Sequence, residues 1–264
     1  ELITKENIIF YKINIILKFQ IKDYRLKNIL NSILLPKNVY DRCKKRFIGP
    51  NNKFHEYLWI ILLRYQLLGS NNNQLGVLPN VLNMMKKDFD LNFECFASSI
   101  NSYNKNYCSI YYDVEKYFGS KGSFFNLHCI SGTYSFNPPY QINIINRGIN
   151  KIINFLDNSG NEELTFILTI PIWDINGKNE MKKKYNYDNY EIDYGDFDII
   201  NKIKQSKYFI GLKMIFKNDF TYLDHNFNLY KDITIQNTYI IILSNNKEKD
   251  FMSKINNYSY KHEK

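Results

Sequence analysis

"GTYSFNPPYQINIINRGINKI" (residues 132–152) joins a short β-favouring run, Thr133 to Phe136, through Asn137-Pro138-Pro139-Tyr140 to an amphipathic helical pattern. Ile142, Ile145, Ile149, Ile152 and Phe155 recur every three or four residues, which predicts a helix with one buried face. Two prolines and an aromatic between a strand and a helix admit two readings. One is a rigid surface turn, since Asn-Pro and Pro-Pro are turn signals. The other is a clamp for a planar ligand. Proline fixes its own φ and restricts its predecessor, and the carboxyl end of a strand is where α/β sheets bind ligands.

The flanking sequence extends the strand–helix alternation. "YLWIILLRYQLLG" (57–69) is too short for a membrane span and carries Arg64, so it reads as a buried helix ended by Gly69. "NNNQLG" (71–76) reads as a loop, and "PNVLNMMKKDF" (79–89) as a helix with Val81, Leu82 and Met85 on one face. "LNFECFASSIN" (91–101) is a strand running into small residues, a turn that lets a ligand approach the backbone. "YFGSKGSFFNL" (117–127) is a glycine-punctuated loop. "ELTFILTIPIW" (163–173), "KYFIGLKMIF" (207–216) and "TYIIILSN" (238–245) read as buried strands. The alternation predicts an α/β domain with a mainly parallel sheet. The basic run "YDRCKKRF" (40–47) is either a solvated helix face or a phosphate contact. The polar, tyrosine-rich segment 181–207 is either a solvated insertion or a lid whose rings stack on bases.

The 264 residues are 44% hydrophobic, enough for a substantial core. A net charge of +9 favours a polyanionic partner, although heavy use of Asn, Ile, Lys and Tyr also fits an A- and T-rich coding bias. Cys43, Cys95, Cys108 and Cys129 form no CxxC pair, and the four histidines are scattered, so neither structural zinc nor a disulfide framework is expected. A reducing compartment fits this cysteine usage, with the nucleus favoured over the cytoplasm. No signal peptide is evident. The chain starts at Glu1 without a methionine and is expected to be a segment of a longer protein.

The tetrapeptide suits one chemistry in particular. An exocyclic adenine amine is a poor nucleophile because its lone pair is delocalised into the ring. The side-chain carbonyl of Asn137 and the backbone carbonyl of Pro138 can accept its two N–H groups, and Tyr140 offers a face for stacking.

"LLRYQLLG" (62–69), "FECFASSIN" (93–101), "YFGSKGSF" (117–124), "SGTYSFNPPY" (131–140) and "LTFILTIPIW" (164–173), in this order, resemble the phosphorylated-CTD-interacting-factor family. The resemblance covers about half the chain well, from about Glu56 to Asp174, and continues weakly to "QNTYIIILSNN" (236–246). It implies a Rossmann-like S-adenosylmethionine-dependent methyltransferase with an N-terminal, mainly helical part. The implied division is an accessory region at 1–55, a methyltransferase domain at 56–250 with an insertion at 177–207, and a tail at 251–264. The implied reaction is methylation of N6 of the first transcribed adenosine beside the m7G cap of mRNA. S-adenosyl-L-methionine is the implied donor, with no metal.

By resemblance, Asn137, Pro138, Pro139 and Tyr140 are the catalytic clamp. Glu94, Phe96, Ala97, Ser98, Ser99 and Asn101 line the cofactor, and Trp173 and Asn237 join Tyr140 on the substrate side. Ser99 stands where the family usually has proline and Tyr140 where it has phenylalanine. Ile142 stands near a position where the family tends to carry an acid, and Ile172 stands in place of a glutamate. The last two departures bear on cap recognition more than on methyl transfer. No WW domain, the family's reader of the polymerase tail, is expected here, so contact with RNA polymerase II is expected only through a region missing from this chain. No membrane partner is expected. Internal RNA adenine, DNA adenine and a catalytically silent RNA-binding role are the alternatives.

Overall fold

The computed structural model describes residues 2–5, 8–13, 33–68, 74–129, 131–185, 198–225, 231–247 and 250–261. A six-stranded sheet has the order β6-β5-β7-β8-β12-β9. Its strands are β5 (Leu91–Glu94), β6 (Asn106–Tyr107), β7 (Gly132–Phe136), β8 (Leu164–Pro171), β9 (Phe209–Ile215) and β12 (Thr238–Ser244). β6, β5, β7 and β8 pair in parallel, whereas β12 is antiparallel to both β8 and β9. The sheet is therefore mixed rather than purely parallel. Every residue of β8 and of β12 is buried, so both read as continuous apolar runs, which carry no information about direction.

Successive residues of a strand face opposite sides of the sheet, and the two faces build separate cores. Phe166, Leu168, Ile170, Tyr239, Ile241 and Leu243 face one core, where α5 (Ile142–Asp157) packs with residues of α6 (Ile175–Tyr185) and α7 (Ile199–Gln205). Ile167, Ile240 and Ile242 face the other, with α3 (Pro79–Phe89) and α8 (Phe251–Asn257). The predicted faces of α3 and α5 are the buried ones, except that Ile142 is only half-buried. A third core joins α1 (Lys37–Arg46) and α2 (Phe54–Leu67) to Ile100, Val114 and Phe118. α4 (Tyr112–Glu115) packs against α2.

Four stretches carry elements that the sequence reading did not name. Among the described residues of the N-terminal part, β1 (Leu2–Lys5), β2 (Ile8–Ile13) and β3 (Ile33–Pro36) form an antiparallel sheet ahead of α1. The loop read over 71–76 holds the start of β4 (Leu75–Val77), which pairs with β10 (Tyr222–Asp224), itself paired with β11 (Lys231–Ile233). Three residues are too few to show a period in sequence. The tail 251–264 contains α8, and Phe251, Ile255, Tyr258 and Tyr260 are core residues. The insertion contributes Met181, Ile199, Ile200 and Ile203 to the first core, so its described part belongs to a helical layer. The tyrosine-rich centre of that segment, 186–197, and the Gly69 helix stop lie outside the described residues. Among the described residues, no helix is long and apolar enough to cross a membrane.

Candidate active site

β5 lies between β6 and β7, so the chain leaves β5 to one side and later returns on the other. Such a reversal opens a crevice at the carboxyl ends of the two central strands. The crevice is lined by Glu94 at the end of β5, Phe96 and Asn101 after it, Ser135 and Asn137 at the end of β7, Leu75, Gly76 and Val77 of β4, and Leu82 of α3. Glu94, Phe96, Asn101 and Asn137 thus line one crevice. The β4 wall belongs to a separate sheet and is the part that sequence reasoning missed.

Glu94 is buried. Its Oε1 accepts the backbone N–H groups of Tyr103 at 2.8 Å and Asn104 at 2.6 Å. Burial pushes its carboxyl up to about 7, opposed by those two amides and by Arg46 and Arg42. Ala97 donates its N–H to Cys108 O. Ser98 closes the following turn: its N–H and hydroxyl both reach Asn101 Oδ1, and the hydroxyl also lies 2.7 Å from Gln74 Oε1. Ser99 is buried away from the crevice lining. Its N–H and hydroxyl both donate to Glu115 Oε2, at 2.6 and 2.9 Å, and the hydroxyl also meets Tyr107. Glu115 Oε1 accepts from Tyr65 as well, and burial raises its pKa. A proline at 99 would have no N–H to offer this carboxylate. Here serine and Glu115 do by hydrogen bonding what a ring does by restraint.

The basic run has its explanation in the same turn. Arg42 donates to Ile100 O, and Arg46 to Ser102 Oγ at 2.8 Å and Tyr103 O at 2.7 Å. These two arginines of "YDRCKKRF" brace the loop after β5, whereas Lys44 and Lys45 are exposed.

In the clamp, Asn137 is half-buried, Pro138 buried and Pro139 exposed. Pro139 O accepts from Gln141 N, which leads into α5. Tyr140 touches both principal cores. Its ring meets Trp173 edge-on with centroids 6.1 Å apart, and its hydroxyl bonds that of Tyr222. Burial holds the Tyr140 phenol well above its ordinary range, so the ring is neutral at physiological pH. Trp173 is itself buried, with Nε1 donating to Gln236 Oε1 at 3.2 Å. It backs the Tyr140 ring rather than offering an open surface. Asn237 lies off the crevice lining: its backbone carbonyl accepts from Ile172 N, and its Oδ1 accepts from Lys217 N at 2.9 Å. All four cysteines are buried and free. Among the described residues no group of three or more His, Cys, Asp or Glu could hold a metal ion.

A protein of Mus musculus described as mRNA (2'-O-methyladenosine-N(6)-)-methyltransferase is 34% identical to this chain over 127 residues, which is 46% of this chain and 18% of the relative. The Homo sapiens protein of the same description matches with the same identity and coverage. The chain therefore spans less than a fifth of the curated relatives it matches. The family model described as "Phosphorylated CTD interacting factor 1 WW domain" matches residues 36–211, about two thirds of the 264 residues and most of the elements that build the crevice. On that match, the chain belongs to the phosphorylated CTD interacting factor 1 family.

Proposed function

We propose that this chain is an S-adenosyl-L-methionine-dependent methyltransferase acting on N6 of adenosine in RNA. The leading substrate is the first transcribed (2′-O-methyl)adenosine next to the m7G cap. The observation that carries the reading is the shared crevice: Asn137 of the clamp and Glu94, Phe96 and Asn101 of the β5 turn line one wall-to-wall space at the sheet's switch point. The activity by which the relatives are described supports it. The sheet, with its reversal at β5 and helices on both faces, supports a Rossmann-like architecture.

The residues around the crevice fit such a donor. Among the described residues, the buried amide donors Gln74 Nε2 and Asn104 Nδ2 have no partner. Gln74 bonds Ser98 through its other atom, and Asn104 lies beside Glu94. Glu94 Oε2 accepts no hydrogen bond among the described residues, while the carboxyl lines the crevice. Free amide donors, a carboxyl and an aromatic wall at Phe96 suit a ligand with a carboxylate, hydroxyls, cationic centres and a flat base. When bound, S-adenosyl-L-methionine supplies an electrophilic methyl group on a sulfonium.

The chain's own residues do the rest. The Asn137 Oδ1 and Pro138 carbonyls accept the two N–H groups of the adenine amine and favour a pyramidal, nucleophilic nitrogen. Proline stiffness keeps both acceptors in place without reorganisation. Tyr140 holds the base by stacking. The proton leaves only after the methyl has arrived, so a weak base or water suffices. The nucleus is the proposed place of action.

The deciding experiment uses labelled S-adenosyl-L-methionine with three substrates: m7G-capped RNA starting with A, the same RNA uncapped, and an adenine-containing DNA duplex. Label at N6 of the first A in capped RNA alone supports the full reading. Label in uncapped RNA or in DNA keeps the clamp and discards the cap. No transfer, with no cofactor binding, leaves an RNA-binding relative. Asn137→Ala is expected to lower kcat at least about 100-fold with RNA affinity nearly intact. Persistent activity would rule out the clamp assignment.

A further inference from the structure

Five residues from four separate stretches of the sequence close a ring of contacts around the clamp. The Thr238 hydroxyl donates to Gln236 O at 3.2 Å. A hydroxyl has one proton, so Thr238 Oγ1 must accept from the Tyr222 hydroxyl, 3.3 Å away. Tyr222 has then spent its own proton, and its oxygen accepts from Tyr140. The Gln236 side chain takes the Trp173 indole N–H, and Trp173 packs edge-on against Tyr140. The Gln236 carbonyl can only accept, so it sets the direction of the hydroxyl path from Tyr140 through Tyr222 to Thr238. Tyr222 is 1% exposed and sits in register opposite Val77, which lines the crevice. Its hydroxyl therefore ties the Tyr140 ring to the strand pair that walls the crevice.

We propose that Tyr222 is a positioning residue for methyl transfer: through the Tyr222–Thr238–Gln236 path it sets the angle of the Tyr140 ring and of the Trp173 ring behind it. The proposal rests on the methyltransferase reading for its consequence, but not for its geometry. A stacking ring that can tilt holds the amine less well over the acceptors of the clamp, and small misplacements of a reacting group cost large factors in rate.

The test compares Tyr222→Phe, Tyr140→Phe and the double variant in the full chain. The first readout needs no activity: the Tyr140 hydroxyl proton, followed by NMR, is expected to exchange slowly in the wild type and to lose that protection in Tyr222→Phe. The second is steady-state kinetics. Each single variant is expected to lower kcat about tenfold with the KM for S-adenosyl-L-methionine within about twofold, and the double variant to be no slower than the worse single. A rapidly exchanging Tyr140 hydroxyl in the wild type, or losses that multiply in the double variant, would overturn the proposal. A protected hydroxyl in a wild type that transfers no methyl group would sink the methyltransferase reading and leave the positioning path standing.

Discussion

Glu94 combines two demands that usually conflict. Its Oε1 is the acceptor that shapes the turn at Tyr103 and Asn104, yet its carboxyl is buried enough to titrate at about 7 instead of 4.5. The folded state therefore binds this proton more tightly than the unfolded chain does. The stability tied to that proton is fully present below about pH 4.5 and is lost as pH rises through about 7. Glu94→Gln keeps an acceptor for the two amides and removes the titration. Between pH 5 and 8 the wild type is expected to lose stability relative to Glu94→Gln, by up to about 3 kcal/mol. Urea unfolding of both proteins across that range is the check, and parallel pH profiles would contradict the raised pKa. The residue type and its place at a strand end were legible in "FECFASSIN". Its partners were not, because two backbone amides nine and ten residues downstream leave no trace in residue identity.

At the scale of elements, β7 and α5 determine where Asn137 stands. Gly148 lies on the buried face of α5, and a Cβ there would come within 2.4 Å of Phe136 Cζ. Phe136 is fully buried and directly precedes Asn137, so it cannot swing aside without moving the clamp. Two effects compete in Gly148→Ala. Alanine gains about 1 kcal/mol of helix propensity, and overpacking a closed core costs about 1–3 kcal/mol. The clash is severe and the ring is locked, so overpacking wins. A net loss of about 1–2 kcal/mol is expected from denaturation, with a fall in kcat for a correctly folded fraction. A variant as stable as the wild type would mean that α5 can shift freely over β7. The strand–turn–helix unit itself was readable from the 3.6-residue period after Tyr140. The direction of β12, the β4–β10 pairing and the Tyr222 partner of the clamp were not. They depend on contacts between segments 82 residues apart for Tyr140 and Tyr222 and 149 for Leu75 and Asp224, and a three-residue strand or a fully buried one has no distinctive pattern.

Over the whole molecule, the net charge of +9 divides into cations that hold the fold and cations free to meet a polyanion. Arg42 and Arg46 belong to the first kind, since an Nη2 of each donates to a carbonyl of the β5 loop. Arg46 is buried enough for its pKa to be lowered. Lys182 and Lys183 belong to the second. They are exposed on α6, which starts two residues after Trp173 and is anchored there by Asp174, whose Oδ2 accepts Gly177 N and whose Oδ1 accepts the Tyr239 hydroxyl. Their charge is thus presented in the last turn of a helix whose first turn is fixed next to the clamp's backing ring. Each lost contact with a single-stranded phosphate removes about 0.7 from the slope of log affinity against log salt. Replacing Lys182 and Lys183 with glutamine is expected to flatten that slope by about 1 for RNA while leaving thermal stability and cofactor affinity unchanged. Arg46→Ala is expected to do the reverse: it lowers stability and cofactor affinity through the loosened turn, with the slope nearly intact. Salt titrations of RNA binding for the two variants separate these outcomes, and an unchanged slope in the lysine variant would return those charges to the solvent.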